Sequence, residues 1–184
     1  MATEKKLDVV ILGLLSHENM SGYDIKKRIE NSLSLFWGAS YGSIYPTLKE
    51  LVNKGLATRA DELDKGREKA VYSITDRGKK HLASWLEQPA SRDEIRYESL
   101  LKVFFGSQAG TKQAIEHIQR LEANAKVELG NIKSSIANLE AVLDSDENHL
   151  YYLLTAKFGE MFYTACIDWC CKSNEILEKI GGGN

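Results

Sequence analysis

The sequence predicts a mainly α-helical protein with one small β-hairpin, arranged as an N-terminal domain over residues 1–88 and a purely helical domain over residues 92–180. Three observations lead there. Apolar residues recur every three or four positions through most of the 184-residue chain. That period gives way to alternation in one stretch only, between residues 57 and 74. Gln88-Pro89-Ala90-Ser91 then interrupts both patterns, because a proline halts the preceding helix and small or polar residues follow.

The elements follow in order. Leu7, Ile11, Leu14 and Leu15 mark a first helix that ends at His17-Glu18-Asn19. Ser21-Gly22-Tyr23-Asp24 has the form of a capping box, opening a second helix with the apolar stripe Ile25, Ile29 and Leu33. A loop through Phe36, Trp37 and Gly38 leads to Ser40, a cap candidate for a third helix with inner face Ile44, Leu48, Leu51 and Val52. Gly55 suits the position just past its end. Ala57-Thr58-Arg59-Ala60 and Ala70-Val71-Tyr72-Ser73-Ile74 alternate as strands, joined by a charged turn around Asp64-Lys65-Gly66. Thr75-Asp76-Arg77-Gly78 caps a fourth helix, with Leu82, Trp85 and Leu86 expected to face inward. Three helices, a hairpin and one more helix make a winged helix-turn-helix domain, the hairpin being its wing.

Past Pro89, the apolar run Leu100-Leu101-Lys102-Val103-Phe104-Phe105 is expected to dock against the rest. A long stripe follows: Ile115, Ile118, Leu121, Ala125, Leu129, Ile132, Ile136, Leu139 and Leu143. The final helix carries another, Leu150, Leu154, Phe158, Met161, Ala165, Trp169, Ile176 and Ile180, before Gly181-Gly182-Gly183 frays the end. Two such helices cover each other only in part, so Leu150, Leu154, Phe158, Met161, Ala165 and Trp169 are expected at a dimer interface.

Composition narrows the function. The net charge is −2, divided as +2 over residues 1–88 and −4 beyond, the sign difference expected if only the first part meets phosphate. The first residues are polar and no apolar run approaches the ~20 residues of a membrane span, so a soluble cytoplasmic protein without leader or anchor is expected. Cys166, Cys170 and Cys171 cluster on one helix and read as buried reduced thiols. His17, His81, His117 and His149 are scattered without ligand spacing, so no metal and no cofactor is expected. There is no GxSxG, phosphate-binding glycine loop, HExxH or paired-acid constellation, which argues against an enzyme.

Double-stranded DNA is the partner that the domain pattern favours. The third helix turns Gly42, Ser43, Tyr45, Pro46, Lys49, Glu50 and Asn53 away from its apolar side, as a recognition helix does toward the major groove. Any surface helix is polar outside, so the face alone leaves an ordinary solvated helix open. Lys65, Arg67 and Lys69 could neutralise phosphates from the wing, although Glu62, Asp64 and Glu68 interspersed among them also fit a solvated hairpin. Lys26, Lys27 and Arg28 lie where the second helix would cross the backbone.

Tyr41-Gly42-Ser43-Ile44-Tyr45-Pro46-Thr47-Leu48, followed by Gly55-Leu56 and by Arg67, Tyr72, Ile74, Thr75 and Gly78, resembles the PadR family of transcriptional regulators. Trp85-Leu86, Pro89, Arg92-Asp93-Glu94 and Leu101-Lys102-Val103-Phe104-Phe105 resemble its subfamily with a long C-terminal helical domain. The resemblance implies a homodimer, usually a repressor, whose third helices and wings bind a palindromic operator. Taken with the outward face, the wing and the second helix, the expected DNA-contacting set is Tyr41, Gly42, Ser43, Tyr45, Pro46, Lys49, Asn53, Lys65, Arg67, Lys69 and Lys26. Glu50 stands where members often carry arginine, and Ala70 where they often carry a basic residue; a carboxylate is repelled by phosphate, so Glu50 is left out of that set. The resemblance also implies a small-molecule effector, for which Trp37, Trp85, Phe104 and Phe162 could line a pocket, plain core aromatics being the alternative. A winged-helix protein-interaction module without DNA binding is the competing function.

Overall fold

The computed structural model describes residues 6–33, 36–37, 41–64, 67–91 and 96–181. They form two compact units, Met1–Arg92 and Asp93–Asn184.

In the first unit, α1 (Leu7–Leu15) buries Leu7, Val9, Ile11, Leu12 and Leu15, too many directions for a one-sided helix, because the helices Ile44–Asn53 and Asp76–Leu86 and the sheet all pack on it. A two-residue strand β1 (Met20–Ser21) pairs with Tyr72 and Val71 and leads into α2 (Gly22–Ser32). The capping box is formed: the Asp24 N–H donates to Ser21 Oγ at 3.2 Å, and the Ser21 N–H donates to Asp24 Oδ2 at 3.1 Å. A single 3₁₀ turn, Tyr41–Ser43, precedes α3 (Ile44–Asn53), so the N-cap position falls to Ser43, which makes no side-chain cap bond; Ser40 lies outside the described residues. Gly55 ends α3 with φ 68°. The Leu56 N–H donates to Leu51 O and the Gly55 N–H to Val52 O, each at 2.9 Å, the paired closure that a left-handed glycine permits.

The hairpin strands are longer than the alternation suggested: β2 (Ala57–Asp64) and β3 (Arg67–Ile74) pair in continuous register from Ala57↔Ile74 to Asp64↔Arg67. Opposite charges face each other in that register, Glu62 across from Lys69, which suits a solvated ladder. The sheet order is β1-β3-β2. Thr75 caps α4 (Asp76–Leu86) by accepting from the Gly78 N–H at 3.0 Å.

Leu82 packs partly against the core, but Trp85 is 40% and Leu86 66% exposed, correcting the inward placement expected of them. The last turn of α4 lies beside the first turn of α1, at the edge of the core. There Trp85 borders an open groove with Asp8, Val9, His81, Ser84 and Gln88.

The second unit comprises α5 (Glu98–Phe104), α6 (Thr111–Ala141) and α7 (Asn148–Gly181), with 3₁₀ turns at Gly106–Gln108 and Leu143–Ser145. The helices α6 and α7 run antiparallel, tied by Lys157–Glu140 at 3.0 Å and by Cys171 Sγ to Glu122 at 3.7 Å. The α6 stripe is the buried one, with Ile118, Ala125 and Ile136 covered, and α6 packs chiefly on α7. On α7 the fully buried positions are the small residues Gly159 and Cys170, and Leu153, Tyr163, Ile167 and Leu177 are half-buried along that side. Of the cysteines only Cys170 is buried; Cys166 is half-buried and Cys171 exposed, which corrects the expectation of three buried thiols. Burial pushes the Cys166 thiol up, and it pushes that of Cys170 to about 12. The α5 run packs only along one side, on α6, and leaves Leu101, Phe104 and Phe105 57%, 80% and 58% exposed. No helix among the described residues is long and apolar enough to cross a membrane.

Candidate nucleic-acid interface

The third helix divides cleanly. Ile44, Leu48 and Leu51 are buried, while Tyr45, Pro46, Lys49, Glu50 and Asn53 are exposed on the other side. Pro46 is tolerated because the first-turn N–H groups have no helical partner to lose. Gly42 is exposed in the preceding turn, and the Ser43 carbonyl accepts from Thr47 Oγ1 at 2.7 Å. Tyr41 belongs to the same turn.

Tyr45 is placed by a neighbour that the sequence did not single out. Its ring lies across the first residue of α2: a Cβ on Gly22 would come 2.6 Å from Tyr45 Cε1 and 3.0 Å from Cζ. Only glycine leaves room for the ring there. Glu50 also has company, since the Lys54 ammonium lies 2.6 Å from Glu50 Oε1, one turn along, and this raises the Lys54 pKa.

The wing cations do not act alike. Lys69 reaches back to α2, where its ammonium sits 2.9 Å from Asp24 Oδ2. That contact and the Ser21 hydrogen bonds hold the Asp24 carboxyl below its ordinary pKa, so one carboxylate joins helix cap to wing. Arg67 is in β3, and Lys65 lies outside the described residues. On α2, Lys26 approaches Glu30 at 3.9 Å, Lys27 stands over the Tyr23 ring at 5.0 Å, and Arg28 pairs with Glu18 at 2.5 Å. The structure thus brings Tyr45, Pro46, Lys49 and Asn53 onto one exposed surface and ties Lys69 into the scaffold beside it.

Residues 11–84 match the transcriptional regulator PadR-like family, and residues 95–178 match the family described as virulence activator alpha C-term. The negative transcriptional regulator PadR of Bacillus subtilis (strain 168) is 32% identical over 158 residues, 82% of this chain and 86% of the relative. The chain belongs to the PadR-like family of transcriptional regulators. Among solved PadR structures, that of B. subtilis PadR in complex with operator DNA superposes with a TM-score of 0.78 at 28% identity, covering 93% of this chain and 98% of that one. The B. subtilis PadR complex with p-coumaric acid superposes at 0.74 and 26% identity, covering 94% and 98%.

In this PadR-like chain the helical residues read as a dimer surface form one outward row on α7. Leu150, Leu154, Phe158 and Met161 are 45%, 59%, 61% and 74% exposed; Ala165 is exposed and Trp169 half-buried, while Ile180 lies where no side chain is described. The four effector-pocket candidates are divided between the units. In the first, Trp37 has Lys6 Nζ 5.9 Å from its ring centre, and its buried Nε1 has no hydrogen-bond partner among the described residues; Trp85 borders the groove already described. In the second, Phe162 stacks on Tyr97 at 6.2 Å and on Phe158 at 6.4 Å, while Phe104 projects outward.

Proposed function

We propose that this regulator binds DNA sequence-specifically as a homodimer on a palindromic operator, acts as a repressor, and is released by a small aromatic effector. The observation that carries the DNA reading is α3: a helix fully buried along Ile44, Leu48 and Leu51 that holds Tyr45, Pro46, Lys49 and Asn53 together in solvent. A winged helix presents this helix to the major groove, with Gly42 and Ser43 at its N-terminal end near phosphate. The operator complex of B. subtilis PadR supports the same use of the fold, and the name of that relative supports a negative sign of regulation. Its p-coumaric acid complex supports an aromatic effector.

The outward row of α7 supports the dimer, since an apolar strip of this extent seeks a partner. A two-fold axis through it sets half-sites about one helical turn, ~34–36 Å, or a multiple apart. The test is a salt titration of binding to random-sequence duplex by fluorescence anisotropy. A DNA-binding regulator gives a steep negative log–log slope, whereas a protein-interaction module gives no binding to titrate.

A further inference from the structure

We infer that Glu50 is a specificity-determining residue of the DNA interface, reading the exocyclic amino group of a cytosine in each half-site; this rests on α3 being the recognition helix. On the outward side of α3, Pro46 and Asn53 lie seven residues apart on one line, and Lys49 and Glu50 flank that line to either side. A helix laid in the groove along Pro46 and Asn53 therefore carries Glu50 in as deeply as Lys49. The Glu50 side chain is 61% exposed, so nothing in the domain holds it away from a duplex.

Charge is the objection to a carboxylate in this place, and the structure answers it. Glu50 Oε1 holds the Lys54 ammonium at 2.6 Å, so the residue enters the groove as half of a neutral pair rather than as a bare anion. The second oxygen, Oε2, makes no hydrogen bond or ion pair among the described residues. An ionised carboxylate only accepts. In the major groove guanine N7 and O6 and thymine O4 are acceptors and repel it, whereas cytosine N4 offers a donor without an adjacent acceptor on the same base. Adenine pairs its N6 donor with the N7 acceptor, a pattern that suits an amide instead. Glu50 thus rewards one base and penalises others.

The alternative is a surface ion pair that only steadies the helix. The two differ in what a substitution does to preference, as opposed to affinity. Full-length wild type, Glu50→Gln, Glu50→Ala and Lys54→Gln are each used to select duplexes from a random library, and preferences are then measured by direct competition. Within one protein such a ratio is independent of the folded fraction. Wild type is expected to enrich cytosine at one position of each half-site. Glu50→Ala loses that preference, by about fivefold or more per half-site, and Glu50→Gln moves it toward adenine. Lys54→Gln weakens binding to every sequence yet keeps the cytosine. Identical base preferences in wild type and both Glu50 variants would overturn the inference while leaving the interface intact. A wild type that enriches no sequence would overturn the DNA-reading role of α3 itself, and that outcome is visible before any variant is made.

Discussion

Replacing Gly22 with alanine should damage DNA binding while sparing the fold. The added Cβ would sit 2.6, 3.0 and 3.3 Å from Cε1, Cζ and Cδ1 of Tyr45. Carbon atoms rest at ~3.5–4.0 Å, so the ring must retreat by about 1 Å. It is free to do so, being the far end of a side chain on a residue 62% exposed. The helix itself gains slightly from alanine, by up to ~0.4–1 kcal/mol, so thermal stability should hold or rise. What is lost is the position of the phenol. If Tyr45 makes a base or tight phosphate contact, displacing it costs about 1–3 kcal/mol, roughly five- to 150-fold in affinity. Anisotropy titrations on a selected duplex, with melting followed by circular dichroism, measure both quantities. A double-mutant cycle isolates the mechanism, because Gly22→Ala should add little once Tyr45→Ala has removed the ring. Gly22→Ala binding as well as wild type, or losing as much without Tyr45 as with it, would refute the socket reasoning.

Three further outcomes are expected. Lys49→Ala, an exposed change on α3, should weaken selected-duplex binding by about 1–3 kcal/mol with an unaltered melting curve; equal gel-shift affinities would remove this side chain from the interface. Asp24→Asn should flatten the acid side of the stability profile. The folded carboxyl titrates below its ordinary value, so its contribution is complete above about pH 4 and fades as pH falls through the lower folded pKa. Melts at stepped pH that show the same acid loss in both proteins would contradict this; the side chain is 39% exposed, so the effect is modest. Phe158→Ser with Met161→Ser should turn a dimer into a monomer, each side chain removing on the order of 1.5–3 kcal/mol of burial. Sedimentation showing an unchanged dimer would move the interface off this row.

Legibility of the sequence followed the reach of its signals. The capping box at Ser21 and Asp24, the Gly55 stop and the Thr75 cap could be read because each is a local backbone device with its own residue pattern. The strand Met20–Ser21 could not, because two residues carry no alternation and the pairing belongs to Tyr72 and Val71 far along the chain. The hairpin was read short where charge displaced apolar residues, although the backbone ladder runs on without them. On α7 two apolar rows compete, and the one with the larger side chains is exposed, while Leu153, Tyr163, Ile167 and Leu177 are half-buried on the row that covers Cys170. The outward set on α3 was legible from its apolar complement. Its surroundings were not, since Gly22 beneath Tyr45 and Asp24 beneath Lys69 are meetings across tertiary space.

The junction behind α3 limits how such a protein can be re-engineered. Thr75 Oγ1 donates to Gly55 O at 2.8 Å, the Thr75 N–H donates to Leu56 O at 3.1 Å, and a Cβ on Gly78 would fall 2.1 Å from that same Leu56 oxygen. Three chain segments, the end of α3, the root of β2 and the start of α4, therefore share one rigid knot of backbone. A chimera that imports another regulator's helix should be spliced inside the knot, keeping residues 55–56, 75 and 78 as a set. Libraries aimed at new operators can diversify positions 45, 46, 49, 50 and 53 without touching it, and the hairpin will keep its pitch against whatever helix they produce.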